Sequence, residues 1–295
     1  MASPRSVDIF DLLEPIIRAR PSANPWIVGD DGARSFRPDL DLLTQMLAVQ
    51  ATEGSTAQTG RLAKTIDAWV ANELRRAGFG EEEVWPRLDA PRVLPREVGL
   101  LVAALPSRLR AEVKAHLTRN RQVGPSDARV LGRAYVKQVD VLIAQWSRGA
   151  ELLISTKSMS SSFRKNLPNR FEEAYGDAKN LRGRYPLVAM GFLFVMHASV
   201  RDEPGTLDRA IDMLRKLRGE HDIYDATCLL VVDWDAHGEV SVLGDVVPHD
   251  VAADSFLAVL VNAVLTRTPI DLHVEARERR AHRELPISEE GTETG

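Results

Sequence analysis

Hydrophobic residues in the first part of the chain fall at helical spacing. Between residues 59 and 77, Leu62, Ile66, Trp69 and Leu74 lie on one side of a helix that stops at Gly78. Similar patterns predict helices over residues 7–18, 39–47, 59–77, 97–104 and 107–118. Residues 1–130 are therefore expected to form a mainly helical N-terminal region.

The pattern changes after residue 125 to short runs of β-branched and apolar residues that alternate with helical segments. Strands are predicted at 133–144, 151–157, 187–198, 225–234 and 240–247, and helices at 166–182, 206–218 and 251–265. This order predicts an α/β fold with a mixed central sheet flanked by helices. We expect the core over residues 131–268, with the helix at 59–77 packed on it, and a charged, partly disordered tail over 269–295.

Composition limits the class of protein. The 295 residues are 44% hydrophobic and 27% charged, as in an ordinary folded protein, and the net charge of −4 argues against a generally basic nucleic-acid coat. Positive charge is nevertheless concentrated in two stretches. Residues 157–184 hold seven basic and three acidic residues, and residues 119–137 hold five basic residues against Asp127. Each stretch is therefore a candidate surface for phosphate groups.

The single cysteine, Cys228, excludes an intramolecular disulfide and a zinc site built from cysteines. No run of about 18 apolar residues could cross a bilayer, and the first residues lack the apolar segment of a signal peptide. We therefore expect a cytoplasmic protein with no membrane partner.

The phosphate-binding loop, the dinucleotide-binding glycine motif, the zinc-protease helix motif and the hydrolase elbow are all missing. What remains is Asp140, a carboxylate within an apolar strand, and Lys157 at the end of the neighbouring strand. A buried carboxylate needs a partner or a metal ion. Carboxylates that hold Mg²⁺ beside a lysine are the groups that phosphodiester hydrolysis requires. The alternative is that Asp140 forms an ion pair with Lys137 or Arg133.

The order of elements around these residues is a strand with Asp140, a turn, a strand ending in Ser155-Thr156-Lys157, and a helix. This order resembles the PD-(D/E)XK restriction-endonuclease-like superfamily. The resemblance covers residues 59–234, with an insertion at 80–132. Ser155 stands where the superfamily usually has an acid. Members that carry Ser-x-Lys take the missing acid from the next helix, about 13 or 14 residues past the lysine. The resemblance therefore implies a relocated acid in this chain.

Glu172 and Glu173 follow Lys157 by fifteen and sixteen residues and are the candidates for that acid. Glu172 is preferred, because it would flank the buried face of its helix whereas Glu173 would point nearly away. Asp140 and Glu172 are thus the expected metal ligands, with Ser155 supporting the hydroxyl network. Glu73 could add an acid from the preceding helix, although an exposed helix residue is the favoured interpretation.

Hydroxyl and basic side chains after the second strand are the expected DNA contacts: Ser160, Ser161, Arg164, Lys165 and Arg170. The leading hypothesis is a Mg²⁺-dependent endonuclease of a restriction or phage-defence type that acts on double-stranded DNA. A homodimer or higher homo-oligomer is expected, since cutting both strands of a symmetric site needs two centres. The alternatives are a non-catalytic DNA-binding or assembly protein on a degenerate nuclease fold, and a small-molecule enzyme that uses Asp140.

Overall fold

The computed structural model describes residues 8–52, 58–120, 122–234 and 239–268. The predicted tail at 269–295 lies outside these residues. The helices are α1 (Ile9–Ala19), α2 (Leu40–Thr52), α3 (Gln58–Arg76), α4 (Arg96–Ala104), α5 (Ser107–Arg119), α6 (Phe163–Arg182), α7 (Thr206–Gly219) and α8 (Ala253–Arg267). The strands are β1 (Trp26–Val28), β2 (Arg34–Phe36), β3 (Val84–Trp85), β4 (Ala128–Leu131), β5 (Val136–Val139), β6 (Val141–Gln145), β7 (Gly149–Met159), β8 (Ala189–His197), β9 (Ala226–Trp234) and β10 (Val240–Val242).

Six strands form the central sheet in the order β10-β9-β8-β7-β6-β3. Strands β7, β8 and β9 run parallel, whereas β6, β3 and β10 pair antiparallel to their neighbours. The first eight residues of β8 are buried, which is expected of a central strand covered on both faces. The predicted α/β fold with a mixed sheet flanked by helices is therefore confirmed.

Two apolar cores lie on opposite faces of this sheet. One core lies between the sheet and helices α1, α2, α3 and α8, with Trp69 and Phe256 among its largest side chains. The other lies beneath α6 and α7 and includes Phe192 and Tyr224. Alternate residues of β7 consequently face different cores: Ile154 points to the α3 side and Leu153 to the α6 side. This alternation decides which helix each residue of the Ser155–Lys157 segment meets.

The strand predicted over 133–144 is two strands, because the chain leaves the central sheet at Asp140. Strand β6 pairs with β7, whereas β5 pairs with β4 in a separate two-stranded hairpin. Strands β1, β2, β3 and β4 were not predicted, since two to four residues are too few to show a periodic pattern. The predicted strand at 240–247 is shorter, and only Val240–Val242 pair with β9.

None of the helices within the described residues has both the length and the apolar character needed to span a bilayer.

Candidate active site at the end of the central sheet

Asp140 occupies the point where the β4–β5 hairpin separates from the central sheet. Its Oδ2 accepts a hydrogen bond of 2.7 Å from the backbone N–H of Thr156 on β7. Burial raises the pKa of Asp140, and the Thr156 hydrogen bond and the charge of Lys157 only partly offset that effect. The carboxylate is therefore fixed in direction and costly to keep charged without a further positive partner.

A second carboxylate, Asp67 on α3, lines the same cavity as Asp140. The cavity measures about 210 Å³, and Lys64 and Asp127 also contribute to its wall. Asp67 is only 7% exposed. Burial and then the negative charge of Asp140 raise the pKa of Asp67 well above its usual range. Two carboxylates thus act on each other across a small, partly enclosed space.

Two buried oxygen atoms of this cavity region lack a hydrogen bond of standard geometry within the part of the chain that the structure describes, although the Thr156 hydroxyl acts on Asp67 and lowers its pKa. They are Asp67 Oδ1 and Thr156 Oγ1. A buried polar atom with incomplete hydrogen bonding costs up to roughly 1–3 kcal/mol, and an ion or a water molecule can complete its bonding. The cavity therefore has the acceptors and the negative charge that a cation requires.

The donor set fits a hard divalent cation. Mg²⁺ retains several waters and needs one or two carboxylates, which Asp67 and Asp140 can supply. Over the described ranges, no group of three or more His, Cys, Asp or Glu side chains is arranged to hold a metal. A site here would consequently be rich in water ligands, with two protein carboxylates.

Lys157 points to the opposite face of β7 and reaches α6. Its Nζ donates to Glu173 Oε1 at 2.8 Å, and Arg170 donates to the other oxygen of Glu173 at 2.8 Å. Burial alone would raise the pKa of Glu173, but the hydrogen bonds and charges of Lys157 and then Arg170 lower it below the usual value. Glu173 is therefore the ionised group that holds the lysine in place.

The structure brings Glu173, and not Glu172, to Lys157, so the expected orientation of the two glutamates was wrong. Glu172 is exposed. The buried face of α6 includes Leu167, Ala174 and Ala178, whereas Tyr175 is exposed. Glu173 lies about 100° from Ala174 and Glu172 about 200°, which turns only Glu173 toward the sheet.

Ser155, in the place of the usual acid, is buried on the α6 side of the sheet. Its hydroxyl lies beside that of Tyr224. The Tyr224 hydroxyl donates to the carbonyl oxygen of Ala174 at 3.0 Å, and burial strongly raises its pKa. The expected hydroxyl network around Ser155 thus involves a tyrosine that ties the sheet to α6.

The five expected DNA contacts fall into two groups. Ser160, Ser161 and Lys165 are exposed at the β7–α6 connection. Arg164 donates to the carbonyl of Pro204 at 2.9 Å, and Arg170 is half-buried in its contact with Glu173. The first group is open to a phosphate, whereas the two arginines already have protein acceptors.

Two other expectations are corrected by the contacts. Glu73 is fully buried, and its Oε2 accepts from the backbone N–H of Asp39 and from Arg76, so it is neither exposed nor part of the cavity. It follows Asp67 by six residues, about 240° around the helix, and so faces another side. Lys137 forms its ion pair with Asp177 on α6 and not with Asp140.

Asp67 is the site residue that the sequence reasoning missed. It stands in the segment Ile66-Asp67-Ala68-Trp69-Val70-Ala71, where a lone carboxylate interrupts a buried apolar face. The same signal singled out Asp140 on its strand. Applied to the helices as well, it could have pointed to Asp67 in place of Glu73.

Comparisons of the chain with protein-family models, with curated proteins and with solved structures found no match. The resemblance to the restriction-endonuclease-like superfamily therefore remains a hypothesis that rests on the residues of this chain.

Proposed function

We propose that the protein is a Mg²⁺-dependent endonuclease that hydrolyses phosphodiester bonds of double-stranded DNA. The observation that carries the proposal is the pair Asp67 and Asp140 in one small cavity, beside the strand that carries Lys157. The two carboxylates come from a helix and a strand that meet at one end of the mixed sheet.

Asp67 and Asp140 would hold the metal ion. Bound there, Mg²⁺ would supply charge neutralisation at the phosphate and a bound water of lowered pKa. Asp140 keeps one oxygen on the Thr156 N–H, which fixes the direction of the other. Burial of Asp67 keeps bulk water away from the pair and so strengthens its hold on a cation.

Lys157 would bind and orient the groups that react. Its charge acts on Asp140, and its ammonium is held by Glu173, which in turn is held by Arg170. Because this ammonium lies on the α6 side of β7, it would donate to a phosphate oxygen on that side, while Asp67 and Asp140 hold the metal ion on the α3 side. Ser160, Ser161 and Lys165 would bind the neighbouring phosphates of the strand.

A homo-oligomer belongs to the same proposal, because cutting both strands of a symmetric site needs two copies of this centre. So does a cytoplasmic location, where DNA is accessible and where the free thiol of the buried Cys228 is stable.

A second candidate is a non-catalytic DNA-binding or assembly protein. Two observations favour it: Ser155 replaces the usual acid and is buried beside Tyr224, and the Lys157 ammonium is already bound by a carboxylate. The two candidates make opposite predictions for DNA cleavage and the same prediction for DNA binding.

The test is incubation of supercoiled plasmid with Mg²⁺ and the wild type, Asp140→Ala, Lys157→Ala or the control Glu172→Gln. Glu172 is exposed on the same helix as Glu173, which makes it a matched acid outside the site. Nicking or linearisation by the wild type and the control, but not by the other two, supports the endonuclease. Binding without cleavage by the wild type supports the second candidate, and cleavage unaffected by both alanines refutes the site.

A further inference from the structure

The β4–β5 hairpin has one face turned to the protein and one face turned to solvent. Its strands pair Ala128 with Val139, Arg129 with Gln138, Val130 with Lys137 and Leu131 with Val136. The first and third pairs are buried or half-buried, whereas the second and fourth are exposed. The outward face therefore consists of Arg129, Gln138, Leu131 and Val136.

This outward face is unusual for a surface that meets only water. Leu131 is 49% exposed and Val136 is 58% exposed, and the two stand directly across from each other. Paired exposed apolar residues beside a guanidinium and an amide resemble the composition of a recognition surface more than that of a solvated strand. A binding partner with both apolar and hydrogen-bonding features fits it.

The hairpin is held rigidly by α6. The Asn180 side chain accepts from the backbone N–H groups of Ala134 and Tyr135 and donates to the carbonyl of Tyr135. Asp177 accepts from the Tyr135 hydroxyl at 3.1 Å and forms an ion pair with Lys137. The connection between the two strands is consequently fixed before any partner arrives, which lowers the entropy cost of binding.

The hairpin is also continuous with the proposed active site. Gln138 and Val139 line the same cavity as Asp140, which follows directly in the chain. A molecule that contacts the outward face at Gln138 thus lies next to the Asp67–Asp140 pair.

The charge of the hairpin selects an anionic partner. Residues 128–139 include Arg129, Arg133 and Lys137 and no acidic residue, and Arg129 and Arg133 are exposed. Neighbouring strands lie about 5 Å apart, so a two-stranded ribbon fits the major groove of B-form DNA, which is about 12 Å wide. The major groove of an RNA duplex is too deep and narrow to be read in this way.

We propose that the outward face of the β4–β5 hairpin enters the DNA major groove and reads the bases next to the cut site. The inference rests on the proposed function, whose substrate it specifies. Arg129 would donate to the O6 and N7 acceptors of a guanine, and Gln138 would pair with the N6 and N7 edge of an adenine. Leu131 and Val136 would contact thymine methyl groups.

The test measures affinity and base preference for Arg129→Ala, Gln138→Ala and the control Arg34→Ala, in buffer without divalent cations. The control removes an exposed arginine from the other two-stranded hairpin, where Arg34 lies across from the exposed Val28. Affinity is measured by fluorescence anisotropy with a labelled duplex, and base preference by selecting bound duplexes from a random pool. All three side chains are exposed, so the variants should unfold at the temperature of the wild type.

Arg129→Ala and Gln138→Ala are expected to weaken binding of the preferred duplex about 10- to 100-fold and to lose the preference at one base position each. Arg34→Ala should keep the affinity and the base preference of the wild type. Equal affinity and unchanged preference in all variants would overturn the inference, as would a stronger effect on an RNA duplex or on a single strand. Plasmid cleavage by the wild type in that case would leave the proposed function intact, whereas a wild type that binds no nucleic acid would refute both.

Discussion

Replacing Glu73 by Gln tests whether this buried carboxyl is structural and not catalytic. The side chain is fully buried, and its Oε2 accepts from the Asp39 N–H at 3.3 Å and from Arg76 at 2.5 Å. Burial raises the pKa of Glu73 from 4.5 to about 7, although Arg76 acts to lower it. Gln keeps the shape and an oxygen that can accept from Asp39, but it has no charge to desolvate.

The size of the effect on stability follows from the difference in the Glu73 pKa between the folded protein and the unfolded chain. The folded protein binds the Glu73 proton more tightly than the unfolded chain does, so this group lowers the free energy of unfolding as pH rises from about 4.5 to about 7. At about 1.4 kcal/mol per pKa unit, a difference of 2.5 pKa units corresponds to about 3 to 4 kcal/mol. Above pH 7 the ionised Glu73 lowers the free energy of unfolding by this full amount, and Glu73→Gln should remove the pH dependence.

The assay is urea unfolding of the wild type and Glu73→Gln at pH values from about 5 to about 8. The difference between the two free energies of unfolding should change by about 2 to 3 kcal/mol over that range, in favour of the variant at high pH. Plasmid cleavage should be retained. Parallel curves would refute the burial argument, and loss of cleavage in a folded variant would place Glu73 in the site after all.

Three further predictions concern the site and the hairpin. Asp67→Asn should raise the unfolding temperature in the absence of divalent cations, because it removes a buried charge next to Asp140. It should also abolish the further rise in unfolding temperature that Mg²⁺ causes in the wild type. Calorimetry measures both effects, and an unchanged response to Mg²⁺ would contradict the assignment of Asp67 as a ligand. Glu173→Gln should reduce plasmid cleavage by roughly 10-fold or more while Glu172→Gln does not, since only Glu173 holds Lys157; equal rates would contradict this role. Asn180→Ala should lose about 1–3 kcal/mol of stability in urea unfolding and weaken DNA binding, because three hydrogen bonds that fix the hairpin disappear; unchanged affinity would mean that the hairpin does not need this anchor.

The long elements could be predicted because their hydrophobic patterns are extended. The helix predicted at 59–77 is α3, and the strand predicted at 225–234 is β9, each within one residue at either end. Such segments bury a continuous face, and the period of that face is visible in the chain. The short strands β1 to β4 could not be found, because their pairing depends on partners that are distant in sequence.

The candidate site was predictable only in part. Asp140 and Lys157 stood out because each interrupts or ends an apolar strand. The choice between Glu172 and Glu173 depended on the rotation of α6, which is set by packing against the sheet and by the contact of Glu173 with Lys157. Asp67 precedes Asp140 by 73 residues, and only the folded chain brings the two to one cavity.

Iron-mediated cleavage of the protein backbone tests the central claim most directly. Fe²⁺ bound in place of Mg²⁺ reduces added hydrogen peroxide to hydroxide and a hydroxyl radical, which cuts the chain near the metal, and the fragments identify the site. The account predicts cuts near Asp67, Asp140 and Thr156 that Mg²⁺ suppresses by competition and that Asp140→Asn abolishes. Cuts confined to other parts of the chain, or cuts at these positions that persist in Asp140→Asn, would contradict it.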